Sequence, residues 1–289
     1  TGVENVAVGT NCLDANTSGF NNTAVGHHSL GANATASYHT ALGSFALHAN
    51  TSGVGNTAVG SHSLDANTTG GSNAAFGRNA LTSSTSGSFN TGLGAFALQV
   101  NSTASNNTAV GYNSLGANTT GTQNVALGSQ SLDANISGSY LTACGFAALG
   151  SNTSANENTA IGYAALNANT TGTNNVAVGQ GSLGNNTTAD NNSALGKAAL
   201  FNNTGANNTA VGREAMFANT TGAANVAVGN NALDANTTAN NNTALGYSSL
   251  TTNTTGSENT AVGMKSLEMT TTGTGNTAVG SNALEENTT

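Results

Sequence analysis

The sequence predicts an all-β chain, a parallel β-solenoid of seventeen turns, and three observations carry that prediction. A glycine recurs every 17 residues from Gly9 to Gly280, with one spacing shortened to 16 between Gly196 and Gly212. Apolar residues recur with it at fixed offsets, and a self-similar period of this kind marks a repeat architecture. The intervals are filled with Gly, Asn and Thr and hold no i, i+3, i+4, i+7 stripe, which excludes helical repeats. The array spans residues 1–289 as one domain.

Each position is named by its offset from the motif glycine. Columns −3 to −1 read Thr-Ala-Val in the best-preserved copies and form a first short strand. Alternation along a strand places columns −3 and −1 on one face. Column −1, with Val8, Val25, Val59 and Val110, is assigned to the core. Column −2, with Ala24, Ala58, Ala109 and Ala261, then points the other way. It is assigned to a subunit interface, because a strand apolar on both sides needs a second partner. The alternative is a bend at the glycine that turns Ala inward. The glycine itself (Gly9, Gly26, Gly60, Gly111) is never replaced, which implies positive φ or close backbone approach.

Columns +4 and +6 hold Leu and mostly Ala, and predict a second short strand with Leu13, Leu30, Leu64 and Leu115 in the core. Column +7 repeats Asn, as at Asn16, Asn67 and Asn118, and marks a corner. Stacked amides there can bond along the axis as a ladder. The same asparagines open Asn-x-Thr/Ser sequons, and a glycan on them would exclude the ladder. Column +10 alternates Gly with Ala at a second corner, and the lost residue falls in the corner Asn203-Thr204-Gly205. With turns stacked ~4.8 Å apart, seventeen would make a rod of roughly 80 Å.

Composition limits function. Charged residues are 6% of the chain, against ~25% in ordinary globular domains. The unbroken Leu column argues against disorder. Four basic residues against twelve acidic ones exclude a nucleic-acid surface. There is no apolar stretch long enough for a membrane helix. Cys12 and Cys144 lie eight turns apart, ~38 Å, too far for a disulfide, and are assigned as small buried thiols. The chain starts and stops in mid-unit, which suggests a piece of a longer array.

No pattern calls for a catalytic, cofactor or metal site. Asp14, Asp65, Asp133 and Asp234 share column +5 but stand apart along the chain. His28 and His62 share column +2 with Phe45 between them, ~10 Å apart, beyond the reach of one metal ion. Tyr112, Tyr163 and Tyr247 in column +1 are candidate contacts for sugar rings.

The unit Asn-Thr-Ala-Val-Gly-x-x-Ala-Leu-x-x-Asn-Thr-Thr-Gly, seen in Asn56-Thr57-Ala58-Val59-Gly60 and Asn276-Thr277-Ala278-Val279-Gly280, resembles two related repeat groups. One is the head of YadA-like trimeric autotransporter adhesins. The other is the repeat region of bacterial and phage tail fibres, which the 17-residue period resembles more closely. The resemblance implies a left-handed parallel β-roll, a homotrimer or homopolymeric filament, and a place in an extracellular, cell-surface or virion fibre. The expected function is a structural and adhesive shaft, with cell-surface glycans as partners. Ice binding through Thr and Asn ladders is the alternative. Adjacent threonines such as Thr68-Thr69 point to opposite faces, which weakens it.

Overall fold

The computed structural model describes residues 2–289. The chain is a parallel β-solenoid in which each turn contributes one three-residue strand. It divides into two compact units, 1–146 and 147–289. Among the described residues the first holds nine strands, from Val6–Val8 to Thr142–Cys144, and the second eight, from Thr159–Ile161 to Thr277–Val279. No helix occurs among the described residues.

Strands pair in register, so like meets like: Thr40 faces Thr57, Ala41 faces Ala58 and Leu42 faces Val59. The 16-residue turn leaves this undisturbed, with Ala194 still opposite Ala210. A corner absorbs the missing residue: Asn203 Nδ2 donates to the carbonyl of Gly205, two residues on. Intact turns make the same bond across three residues, as from Asn67 to Gly70.

The second strand expected at columns +4 and +6 is absent, and columns +1 to +6 form consecutive turns. Leu30, Leu47, Leu64 and Leu115 in column +4 have φ of 49–52°. Left-handed backbone costs a residue with a Cβ roughly 1–2 kcal/mol. Full burial of the leucine side chain, worth ~1.5–3 kcal/mol, offsets that. Both peptide groups of the leucine are also satisfied: Leu64 N donates to Ala80 O at 3.0 Å, and its carbonyl accepts from Asn67 N at 3.2 Å. Column +6 lies toward the surface, with Ala32, Ala49 and Ala66 half-exposed.

The two apolar columns of the strand are also placed opposite to the expectation. Ala24, Ala58, Ala109 and Ala261 are 0% exposed within a single chain, so column −2 is interior and not a subunit interface. Val25, Val59 and Val110 are half-exposed and Val8 is 57% exposed, so column −1 faces outward. Leu30, Leu64 and Leu115 are fully buried and Leu13, in the first turn, nearly so.

The cause is lateral space. At Gly92, which replaces the column −2 alanine, an added Cβ would lie 3.4 Å from Ala97 O and 3.6 Å from Leu81 Cδ1. That is room for one carbon and no more. Column −2 packs against the leucine column across a narrow interior, and valine is excluded by its volume.

The motif glycines have φ between 126° and 141°. At Gly60 a Cβ would lie 2.6 Å from the carbonyl oxygen of Gly77 in the next turn. Backbone conformation and close approach thus both require glycine.

Polar residues complete the interior. Asn67 and Asn118 are fully buried and Asn16 half-buried. Asn67 Nδ2 donates to Asn50 Oδ1 at 2.9 Å and to Gly70 O at 3.0 Å. Asn118 bonds likewise to Asn101 and Gly121. These amide nitrogens are closed to glycan attachment.

A second ladder runs through column −4, where Asn73 N donates to Asn56 Oδ1 at 2.9 Å and Asn56 Nδ2 donates to Gly70 O at 2.8 Å. Sequence reasoning missed this column, although an Asn four residues before the glycine returns in nearly every turn.

Candidate functional site

The strand geometry creates a continuous outer face within each unit. Columns −3 and −1 project from it, two residues apart on every strand. Column −1 supplies Leu42, Phe76, Leu93 and Leu127 in the first unit, and Ile161, Leu195 and Leu245 in the second, all exposed. Column −3 is mostly Thr, with Val6, Val125, Val176 and Val226 adding exposed aliphatic surface. Exposed apolar patches of such extent mark interaction surfaces. No charged residue occurs in either column.

The column +1 tyrosines stand on the turn that follows the glycine. Tyr112, Tyr163 and Tyr247 are 55–58% exposed. Tyr112 meets Phe96 edge-on, with centroids 5.8 Å apart. Arg78 lies over the other part of that pair, 4.8 Å from the Phe96 centroid.

Column +2 stacks planar rings from turn to turn. Phe45 lies between His28 and His62, with centroids 5.3 and 5.0 Å away. Asp65 is the carboxylate beside them, with Oδ2 2.8 Å from His62 Nδ1 and Oδ1 3.6 Å from His48 Nδ1. Among the described residues no group of three or more His, Cys, Asp or Glu could hold a metal ion.

The other aspartates of column +5, Asp14, Asp133 and Asp234, lie singly. Burial raises the Asp133 carboxyl above the usual range; burial first and the Glu214 charge second raise Asp234. The two cysteines are free but half-exposed, not buried as expected. Cys144 lies in the outward column −1. Cys12 lies in the first turn, where its thiol donates to Ala24 O at 3.1 Å.

Column +8 threonines present no free hydroxyl row. Thr51 Oγ1 donates to Thr68 O and Thr68 Oγ1 to Thr85 O, both at 3.0 Å. The same bond recurs along the array, as from Thr220 to Thr237 and Thr237 to Thr254. Their donor hydrogens are spent on the next turn's backbone.

Neither a family model nor a curated protein matches this chain. Among the described residues no helix is long and apolar enough to cross a membrane.

Proposed function

We propose that this chain is a structural and adhesive shaft segment of an extracellular fibre, assembled as a homotrimer through columns −3 and −1. The observation that carries this reading is the outward aliphatic residue on successive strands of a parallel sheet. Parallel sheets are normally covered on both faces. Here the solenoid interior covers the alanine side, while Leu93, Leu127 and their neighbours stay exposed in one chain. Copies of the same chain present the same periodic surface, and a repeated self-complementary face favours symmetric assembly. The interface expected at Ala58 therefore moves to the opposite side of the same strand.

Mechanical continuity has a local basis. Within each unit, turns are tied to their neighbours by strand pairing and, in most turns, by two buried asparagine ladders and threonine hydroxyl bonds. The low charge and the many amides and hydroxyls leave a surface suited to uncharged glycans.

Ice binding receives less support, because the column +8 hydroxyls already donate to backbone carbonyls.

Light scattering of the purified chain tests the assembly. Three chains per particle are expected, and Leu93→Lys combined with Leu127→Lys is expected to yield single chains with an unchanged β signature in circular dichroism. A wild-type chain that stays monomeric, or a double variant that stays trimeric, would refute the interface.

A further inference from the structure

We propose that the second unit carries a subsite for a single neutral pyranose ring, in the cleft between Tyr163 and Phe201. The proposal stands apart from the shaft reading and does not require assembly.

The cleft arises from two glycines in one turn. Gly181 occupies column +2, between Ala164 and Ala198 of the flanking turns, in a column that elsewhere carries residues as large as His, Phe and Lys, and Gly184 occupies column +5. Their missing side chains leave a cavity of about 240 Å³. Tyr163 bounds it from the preceding turn and Phe201 from the following one. Phe201 can lie where it does because of Gly184, on which a Cβ would meet its ring at 2.7 Å; a Cβ on Gly181 would only touch the ring, at 3.4 Å. The volume is below the ~300–1,000 Å³ of sites for drug-sized ligands, and suits one ring.

The lining gives the chemical class. Two aromatic side chains offer apolar faces to the C–H groups of a sugar ring. Gln180, Asn167 and Asn185 supply amides at the rim. Asn167 Nδ2 donates to Ala147 O at 2.8 Å, and Asn185 Nδ2 to Asn202 Oδ1 at 2.9 Å. Those bonds fix both amides and leave their Oδ1 atoms as acceptors for hydroxyls. No charged side chain lines the cleft, so an uncharged ligand is favoured. Lys197, next after Gln180 in column +1, lies outside the lining.

The column itself supplies the control. Phe45 and Phe96 occupy column +2 with φ of 58° and 62°, close to the 64° of Gly181. Gly181→Phe therefore closes the cleft with a residue that the fold already accepts there.

Ligand-observed NMR titrations on the full chain would use the methyl glycosides of glucose, galactose and N-acetylglucosamine. Methyl glucuronide and benzyl alcohol would report acidic and purely aromatic selectivity. At least one neutral glycoside is expected to bind with Kd on the order of 1 mM. Gly181→Phe and Phe201→Ala are each expected to weaken it at least about tenfold. Should Gly181→Phe fail to fold, Phe201→Ala carries the test. No neutral binding up to about 50 mM, binding unchanged in the folded variants, or binding confined to the acidic or aromatic probe would overturn the proposal.

Discussion

Acidification is expected to break the column −4 ladder at one place, His39, which stands where all other turns but that of Leu141 have asparagine. His39 is 2% exposed, and its Nδ1 accepts from Asn56 N at 3.1 Å, as an asparagine Oδ1 does in other turns. Asn50 Nδ2 lies 3.2 Å from His39 Nε2, but its two hydrogens already serve Asn33 Oδ1 and Gly53 O. The neutral tautomer with hydrogen on Nε2 fits this arrangement, donating to the Gly53 carbonyl. The imidazole thus copies both halves of the amide.

Burial lowers its pKa from 6.5 to about 4. The unfolded chain therefore takes up the proton first. The contribution is complete above pH ~6.5 and lost as the pH falls to ~4. At ~1.4 kcal/mol per unit, the loss is about 3 kcal/mol, near 100-fold in a local opening equilibrium.

Repeat arrays open in parts, so hydrogen exchange at the Asn56 amide is a suitable local probe. Corrected for intrinsic exchange, its protection is expected to fall about 100-fold between pH 7 and pH 4 in the wild type. His39→Asn should remove most of that fall, while carboxylates elsewhere titrate equally in both proteins. An imidazole that titrates near 6.5, or an equal fall in the variant, would refute the reasoning.

Two further outcomes follow from the interior. Ser84 and Thr270 replace asparagine in column +7, and the buried Asn67 Oδ1 and Asn253 Oδ1 beside them lack partners. Ser84→Asn is expected to stabilise by ~1–3 kcal/mol by supplying the missing donor, measured by chemical denaturation. Leu64→Ala should cost ~2–5 kcal/mol, whereas Val59→Ala in a dispersed single chain should stay within about 1 kcal/mol. Equal costs for the two would contradict the placement of column −1 outside.

The turn, its period and its axial stacking were legible because each depends on spacing alone. Gly60 shows why: its φ and its approach to Gly77 forbid a side chain, and that prohibition repeats in every turn. Leu64 was assigned to the core correctly but to a strand wrongly. Propensity places leucine in right-handed or extended backbone, and only tertiary burial makes φ near 50° tolerable. The defects of the column +7 ladder were visible as Ser84, Thr270 and the short turn at Asn203. Their consequence, an orphaned oxygen on the preceding asparagine, needed the direction of each hydrogen bond. For Asn186 that orphan follows from Asn203 turning to Gly205.

The strand's inner and outer faces were harder to tell apart, because both are apolar. Hydrophobicity ranks Val59 above Ala58 and so nominates it for the core. Cross-section decides otherwise. A 17-residue turn encloses one leucine, one small residue at column +3, two asparagines and a single remaining carbon opposite the leucine. Alanine fits that space and valine does not. The larger residue is therefore placed outside, where no single-chain contact requires it. Its return as Val, Leu, Ile, Phe or, once, Cys, never as a charged residue, then calls for a partner on that face. The cleft at Gly181 follows from the same geometry: in a stack of equivalent turns, loss of side chains from one turn leaves a gap bounded by the turns before and after it.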